Sequence, residues 1–206
     1  SGVVGGPAGA LARVRRAAAL VDENVTVIEK IRIDSDLALA LFRTGDYPGC
    51  LAMLGSWLRL CRESQPVASY VMEAYGSAAW AALGLLDLPA KDAPAGRKEL
   101  ESVARSSVRW LGFYAFVFKL ARPRHQVAKA ILRRSTGREK RARRLLRSAL
   151  ALARSLGQPY DELLAHRQFA ASLGSEGANA PCCFRWRRRS GSTSGSRHTQ
   201  PRKRRI

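Results

Sequence analysis

The sequence has few of the side chains that enzymes use for catalysis. Only three histidines and four cysteines occur among its 206 residues. No H-E-x-x-H or C-x-x-C spacing is present, and no histidine stands at metal-ligand spacing from a cysteine. No nucleophile motif surrounds His125, His166 or His198. We therefore expect no catalytic residue, no metal ion and no cofactor in this chain.

Long apolar runs and a phosphate-binding loop are also missing. The longest apolar stretches are broken by Glu73, Arg109 and Lys119, so none reaches the roughly 18 residues that a membrane span needs. No Lys-Ser or Lys-Thr follows the glycines of Gly2 to Gly9, as a phosphate-binding loop would require. No signal-peptide pattern is present. We expect a protein without a membrane span, and the lack of Met at position 1 indicates a fragment of a longer chain.

The four cysteines do not indicate a disulfide framework. Cys50 and Cys61 lie in an apolar helical stretch, where they are expected to be core residues. Cys182 and Cys183 are adjacent and lie near the C-terminus, where bridging to a fixed partner is not expected. This use of cysteine predicts a reducing, cytoplasmic setting.

Acidic residues are scarce beside basic ones, at 16 against 36, and the formal net charge is +20. The last 26 residues contain nine Lys or Arg and no acidic residue. We interpret the basic residues of the rest of the chain as solvated helix faces in preference to a nucleic-acid surface. The tail is predicted to be disordered, with nucleic acid or anionic lipid as an alternative ligand. Its candidate anion contacts are Arg185, Trp186, Arg187, Arg188 and Arg189.

The sequence does contain a succession of helical patterns. His125 to Gly174 indicates three helices, separated by turns at Gly137 and at Gly157-Gln158-Pro159. Earlier helices are predicted over Ala10–Val21, Asp34–Thr44, Gly49–Glu63, Ser64–Leu86 and Arg97–Leu120. A stretch rich in β-branched residues, 24–33, has no partner strand and is interpreted as a helix or linker. The predicted fold class is all-α.

Acidic residues near the predicted helix starts are interpreted as caps. Asp34 and Asp36 stand at one such start, and Asp161 and Glu162 follow Pro159 at another. Carboxylates are favourable at the positive end of a helix dipole, so capping is preferred to a metal site.

Four glycines indicate a repeat of helical hairpins. Gly45, Gly84, Gly137 and Gly174 are separated by 39, 53 and 37 residues, and two of these distances are near the roughly 34 of a tetratricopeptide repeat. The segment from Trp80 to Gly84 matches W-x2-L-G of that repeat. The alternative is a helix bundle without repeats. The predicted repeat-signature residues are Trp80, Leu83, Gly84, Gly137, Leu145, Ala149, Pro159 and Gly174.

The domain organisation predicted from these patterns has three parts. Residues 1–33 form an N-terminal linker with a partial helix, 34–174 form the tetratricopeptide-like repeat domain, and 175–206 form a disordered basic tail.

The segment from Arg122 to Gly174 has three motifs in succession: R-P-R at a helix start, G-R-E-K-R-A-R-R-L, and L-A-R-S-L-G-Q-P-Y-D-E-L-L-A. It resembles the degenerate tetratricopeptide-like C-terminal region of large bacterial signalling proteins. Those proteins have an AAA-type ATPase module, often behind a class III adenylate/guanylate cyclase or Ser/Thr kinase domain. The resemblance covers about 34–174. Its motifs are structural, so it implies no catalytic residue.

The resemblance implies a non-catalytic scaffolding segment that binds a protein partner or upstream domains of the same polypeptide. One alternative is an independent helical adaptor with no enzyme attached. Another is a basic helical protein that binds nucleic acid.

Overall fold

The computed structural model describes residues 6–19, 25–64 and 68–174, and every regular element within these ranges is helical. The eight α-helices are α1 Pro7–Ala19, α2 Val27–Thr44, α3 Tyr47–Ser64, α4 Met72–Leu86, α5 Arg97–Val117, α6 Arg122–Ser135, α7 Glu139–Ser155 and α8 Pro159–Gly174. Short 3-10 turns precede α4, at Ser69–Val71, and α6, at Lys119–Ala121. The predicted all-α class is confirmed.

The helices from α2 onward form two rows. In the first row α2, α4, α6 and α8 pack in succession, each against the next. In the second row α3 packs on α2 and α4, α5 packs on α4 and α6, and α7 packs on α6 and α8. The first helix, α1, packs against α2. The first row therefore presents a face built from four helices that are distant in the sequence.

Three turns end on a glycine with positive φ. Gly45, Gly137 and Gly157 have φ values of 89°, 74° and 63°, a left-handed conformation that other residues adopt only with strain. Each glycine amide donates to the carbonyl three residues earlier, and the following amide donates to the carbonyl five residues before it. This pair of bonds satisfies carbonyls at the helix end and reverses the chain direction. The predicted turns at these positions are confirmed.

The larger core cluster surrounds three aromatic rings from α3, α4 and α5. Trp57 meets Tyr75 edge to face with centroids 5.6 Å apart, and Tyr75 stacks on Tyr114 at 4.9 Å. The Tyr114 hydroxyl donates to the carbonyls of Ala68 and Ser69 at 3.1 and 2.8 Å. Because its polar end is satisfied, the Tyr114 ring can be buried without an unpaired donor.

A smaller core cluster lies between α6, α7 and α8. Its buried members are Val127, Ala130, Ala142, Leu146, Ala149, Leu164 and Ala165. Trp80 of α4 and Ile131 of α6 pack against both clusters. Neighbouring hairpins therefore share side chains at their junction, as stacked helical units do.

The predicted helix start at Asp34 is wrong, and the predicted domain boundary there falls inside α2. The helix begins directly after Thr26, whose side-chain oxygen accepts from the Glu29 amide at 3.3 Å, while the Glu29 carboxylate accepts from the Thr26 amide at 3.1 Å. This is a capping box. β-Branched residues cost at most about 0.7 kcal/mol each in a helix, and the complete burial of Ile31 outweighs that. Asp34 and Asp36 thus lie in the helix interior and do not cap it.

Two further helix ends differ from the prediction. The α4 helix begins at Met72 rather than near Pro66, which lies outside the described residues. The α5 helix ends at Val117 rather than Leu120, because Phe118 has extended backbone angles of φ −109° and ψ 103°.

The four glycines that indicate a repeat are not structurally equivalent. Gly45 and Gly137 both follow the first helix of a hairpin with positive φ, whereas Gly84 and Gly174 lie within α4 and α8. After Gly45 and after Gly137, buried residues recur at the fifth, ninth, twelfth and sixteenth positions. These two glycines are 92 positions apart and enclose two hairpins, or about 46 residues each against the 34 of a tetratricopeptide repeat.

Candidate functional site

A groove crosses the face formed by α2, α4 and α8. Its volume is about 300 Å³, and it combines aromatic rings with carboxylates in a molecule that has few acidic residues. Its lining residues are Asp36, Leu39, Phe42, Arg43, Glu73, Ser77, Trp80, Tyr160 and Leu164. Tyr160 is 62% exposed and the Glu73 side chain is 72% exposed. Both side chains are therefore available to a ligand.

The lining residues of α4 share one helix face. Glu73, Ser77 and Trp80 recur at helical spacing, so they point in one direction while the rest of α4 is almost wholly buried. Gly84 continues this face, and a β-carbon at Gly84 would overlap the ring of Phe42 from α2. The glycine thus permits the close approach that brings Phe42 to the groove.

A buried arginine joins the groove to its surroundings. Arg124 of α6 is 3% exposed, with Nη1 2.7 Å from Glu73 Oε1 and Nε 3.0 Å from Asp161 Oδ1. Its guanidinium also lies over the Tyr160 ring, 5.3 Å from the centroid. Burial opposes the charge of Arg124, but Glu73 and Asp161 outweigh it and raise the pKa of the guanidinium above its usual value. Arg124 thereby fixes the positions of a carboxylate and a ring in the groove.

Asp36 supplies the second carboxylate of the groove. The Ser77 hydroxyl donates to Asp36 Oδ1 at 3.2 Å. Burial raises the pKa of Asp36, although the Ser77 hydrogen bond and the charges of Arg32 and Arg43 oppose the rise. The negative charge of Glu73 adds to it. A cationic group bound beside Asp36 would relieve both effects.

The cysteines and histidines among the described residues lie outside the groove. Cys50 and Cys61 are buried free thiols, as predicted, and burial raises the pKa of each to about 12. Both are therefore protonated at neutral pH. His166 is exposed, 3.5 Å from Glu162, and His125 lines a separate cleft. Over 6–19, 25–64 and 68–174, no three His, Cys, Asp or Glu side chains are grouped to hold a metal ion.

The predicted repeat residues fall in different settings. Trp80 lines the groove and packs against both core clusters, and Leu83 is buried. Ala149 is fully buried between α6, α7 and α8. Leu145 is only partly buried, because the adjacent Leu146 occupies the core position.

The remaining predicted residues are at helix ends or outside the described ranges. Gly137 forms the turn between α6 and α7, Pro159 begins α8, and Gly174 is the last residue of α8. The candidate anion contacts Arg185, Trp186, Arg187, Arg188 and Arg189 lie outside the described residues, as do Cys182, Cys183 and His198.

The sequence pattern does not identify the groove residues as neighbours. Asp36, Arg124 and Asp161 belong to α2, α6 and α8, which only packing brings together. The one available signal is Glu73, the only charged residue of the apolar helix α4. Its side chain is 72% exposed and pairs with Arg124, which is the buried member of that pair.

Comparison of the chain with protein-family models, curated proteins and solved structures finds no match. None of the described helices is both long enough and apolar enough to cross a membrane.

Proposed function

We propose that this chain is a non-catalytic protein-interaction segment, and that a partner inserts a short peptide segment into the groove between α2, α4 and α8. The supporting observation is the presence of the exposed Tyr160 and the half-buried Trp80 beside Asp36 and Glu73 in one concave site. Aromatic rings give large contact area at low conformational cost, and they are enriched among the residues that dominate binding energy.

The groove chemistry favours a partner segment with a basic side chain next to an apolar or aromatic one. The basic group would pair with Asp36, whose pKa is raised by burial and by the charge of Glu73, because Glu73 itself is already paired with Arg124. The apolar group would pack among Phe42, Trp80 and Leu164. A groove of about 300 Å³ holds one or two side chains. The partner is therefore recognised through a short motif.

We further propose that the stacked hairpins are degenerate tetratricopeptide-like repeats in the cytoplasm. The alternating rows of helices and the shared burial pattern after Gly45 and Gly137 support this. The resemblance of Arg122 to Gly174 supports a parent protein of the bacterial adenylate cyclase type with an AAA-type ATPase module. In that parent the segment would receive regulatory contacts from a protein partner or from upstream domains.

Selection from a random peptide library tests the groove. The protein is immobilised, and the enriched peptides are measured by fluorescence anisotropy against wild type, Tyr160→Ala and Tyr70→Ala. Tyr160 and Tyr70 are equally exposed, at 62% and 60%, and only Tyr160 lines the groove. We expect enrichment of Lys or Arg beside an apolar residue. Tyr160→Ala should weaken binding about tenfold, the usual effect of removing an anchoring ring.

Equal binding by the two tyrosine variants would place the peptide site elsewhere. Enrichment of acidic peptides would contradict the partner chemistry. The parentage is tested by reading the coding sequence upstream of Ser1: an ATPase module in frame supports it, and a start codon close to Ser1 supports the independent adaptor.

A further inference from the structure

A second cleft, separate from the groove, lies between α5 and α6 and extends to the start of α7. Its volume is about 690 Å³. Arg105 and Arg109 are one turn apart on α5, and Lys129 and Arg133 are one turn apart on α6. Arg138 lines the cleft where α7 begins. The cleft is therefore bordered by two rows of cations and a fifth cation at one end.

Only one carboxylate lines this cleft. Glu101 pairs with Arg105 at 2.6 Å. The other four basic side chains of the cleft form no ion pair with any residue of the described ranges. Like charges that face one space without counter-charges repel each other and raise the local concentration of anions. The cleft therefore has an excess of positive charge that a bound anion would neutralise.

We propose that this cleft binds a compact oligophosphate, either a free phosphate chain or the phosphate groups of a nucleoside polyphosphate. Guanidinium groups bind phosphate oxygens through paired hydrogen bonds, and lysine adds a point charge. The volume matches the small-molecule sites of proteins, which span roughly 300–1,000 Å³. A nucleic acid would need a contact surface of about 1,000 Å² or more, so a cleft of about 690 Å³ favours the smaller ligand. This inference is independent of the peptide groove.

His125 is a reporter inside the cleft. Its Nε2 lies 2.8 Å from the position that a β-carbon at Gly112 would occupy, so the ring packs directly on the α5 backbone. Burial, and secondarily the charge of Lys129, lower the pKa of His125. The charged groups lining the same cleft are Glu101, Arg105, Arg109, Lys129, Arg133 and Arg138. A polyanion bound among them would favour the imidazolium and raise the pKa of His125.

The test is titration calorimetry of the full chain with sodium tripolyphosphate and, separately, with ATP. The cleft variant is Lys129→Gln/Arg133→Gln. Its control is Lys140→Gln/Arg144→Gln, which removes the same charge from exposed positions of α7 outside the cleft. We expect the cleft variant to bind tripolyphosphate at least about tenfold more weakly than the control does, the loss expected when a hydrogen bond to a charged group is removed.

Several outcomes decide the proposal. A rise of the His125 pKa with tripolyphosphate, followed by NMR titration, supports it. Equal affinities for ATP and tripolyphosphate indicate that the cleft recognises the phosphate chain alone, and tighter ATP binding indicates that it also contacts the nucleoside. Equal weakening of both double variants would show general charge attraction and overturn the proposal. A last outcome concerns duplex RNA. If the wild type binds it, the cleft variant does not, and tripolyphosphate cannot displace it, the cleft is a nucleic-acid site and the proposal is overturned. If the double variant fails to fold, the tripolyphosphate titration is repeated with Arg109→Gln, which changes a single exposed residue.

Discussion

At the scale of single residues, Arg124 holds three helices together. It connects α4, α6 and α8 through Glu73, Asp161 and the ring of Tyr160. The Asp161 side chain is 3% exposed whereas that of Glu73 is 72% exposed. Loss of the arginine would therefore leave one carboxylate in water and the other buried without a counter-charge. The second situation is the costly one, because a buried unpaired charge has lost its hydration.

We predict that Arg124→Met lowers the free energy of unfolding by about 3–5 kcal/mol, the range found when one partner of a buried ion pair is removed. The double change Arg124→Met/Asp161→Leu should recover most of this loss, since no unpaired charge remains. Urea unfolding followed by circular dichroism measures both variants as a double-mutant cycle.

A matched control is Arg105→Met, which breaks the exposed pair with Glu101 and should cost at most about 1 kcal/mol. If Arg124→Met and the double change were equally unstable, the cost would come from lost packing of the arginine stem, and the ion-pair explanation would fail.

At the scale of elements, the left-handed glycine turns fix the hairpin geometry. A β-carbon added at Gly45, Gly137 or Gly157 would point into open space, with no atom within 4 Å. Substitution at these sites therefore tests backbone strain alone. These turns could be predicted from the sequence because the φ requirement is local and glycine alone meets it cheaply.

We predict that Gly137→Ala destabilises the protein by about 1–2 kcal/mol, the cost of holding an L-residue in the left-handed region. Gly55→Ala should stabilise it by about 0.5–1 kcal/mol, because Gly55 lies inside α3 and a β-carbon there meets nothing. Thermal melts of the two variants give shifts of opposite sign. Two shifts of the same sign would contradict the assigned helix ends.

The start of α2 shows where sequence reasoning fails at this scale. The β-branched residues within 25–33 argue weakly against a helix. Asp34 is of a residue type that is favoured at helix N-caps. The burial of Ile31 decides otherwise, and burial is a property of the packed molecule. The Thr26-x-x-Glu29 capping box was the local signal that could have placed the start correctly.

At the scale of the whole molecule, two core clusters are joined by few side chains. Trp80 and Ile131 contact both clusters, and Arg124 adds ion pairs across the same junction. Stacked helical units with narrow junctions can unfold in parts. The fold class follows from helical periodicity along the sequence. The groove does not, because it combines α2, α4 and α8, which are neighbours only after stacking.

We predict that Ala149→Asp unfolds α7 and α8 while α2 to α4 keep their structure. Ala149 is fully buried in the smaller cluster, so the carboxylate would be buried without a partner. Hydrogen exchange should show lost protection over 139–174 and retained protection over 27–64 and 72–86. Ala151→Asp, on the exposed face of the same helix, should change neither region. Loss of protection throughout the chain would show that the two clusters unfold as one.

The position of the two buried thiols has a practical consequence. Cys50 and Cys61 both belong to α3 and to the larger cluster, and the sequence from Arg62 to Pro181 contains no cysteine. An alkylating reagent can reach these sulfurs only when α3 separates from its neighbours. The labelling rate at Cys50 and Cys61, divided by the rate of a free thiol, therefore gives the equilibrium constant for the opening of the half of the molecule that contains α3.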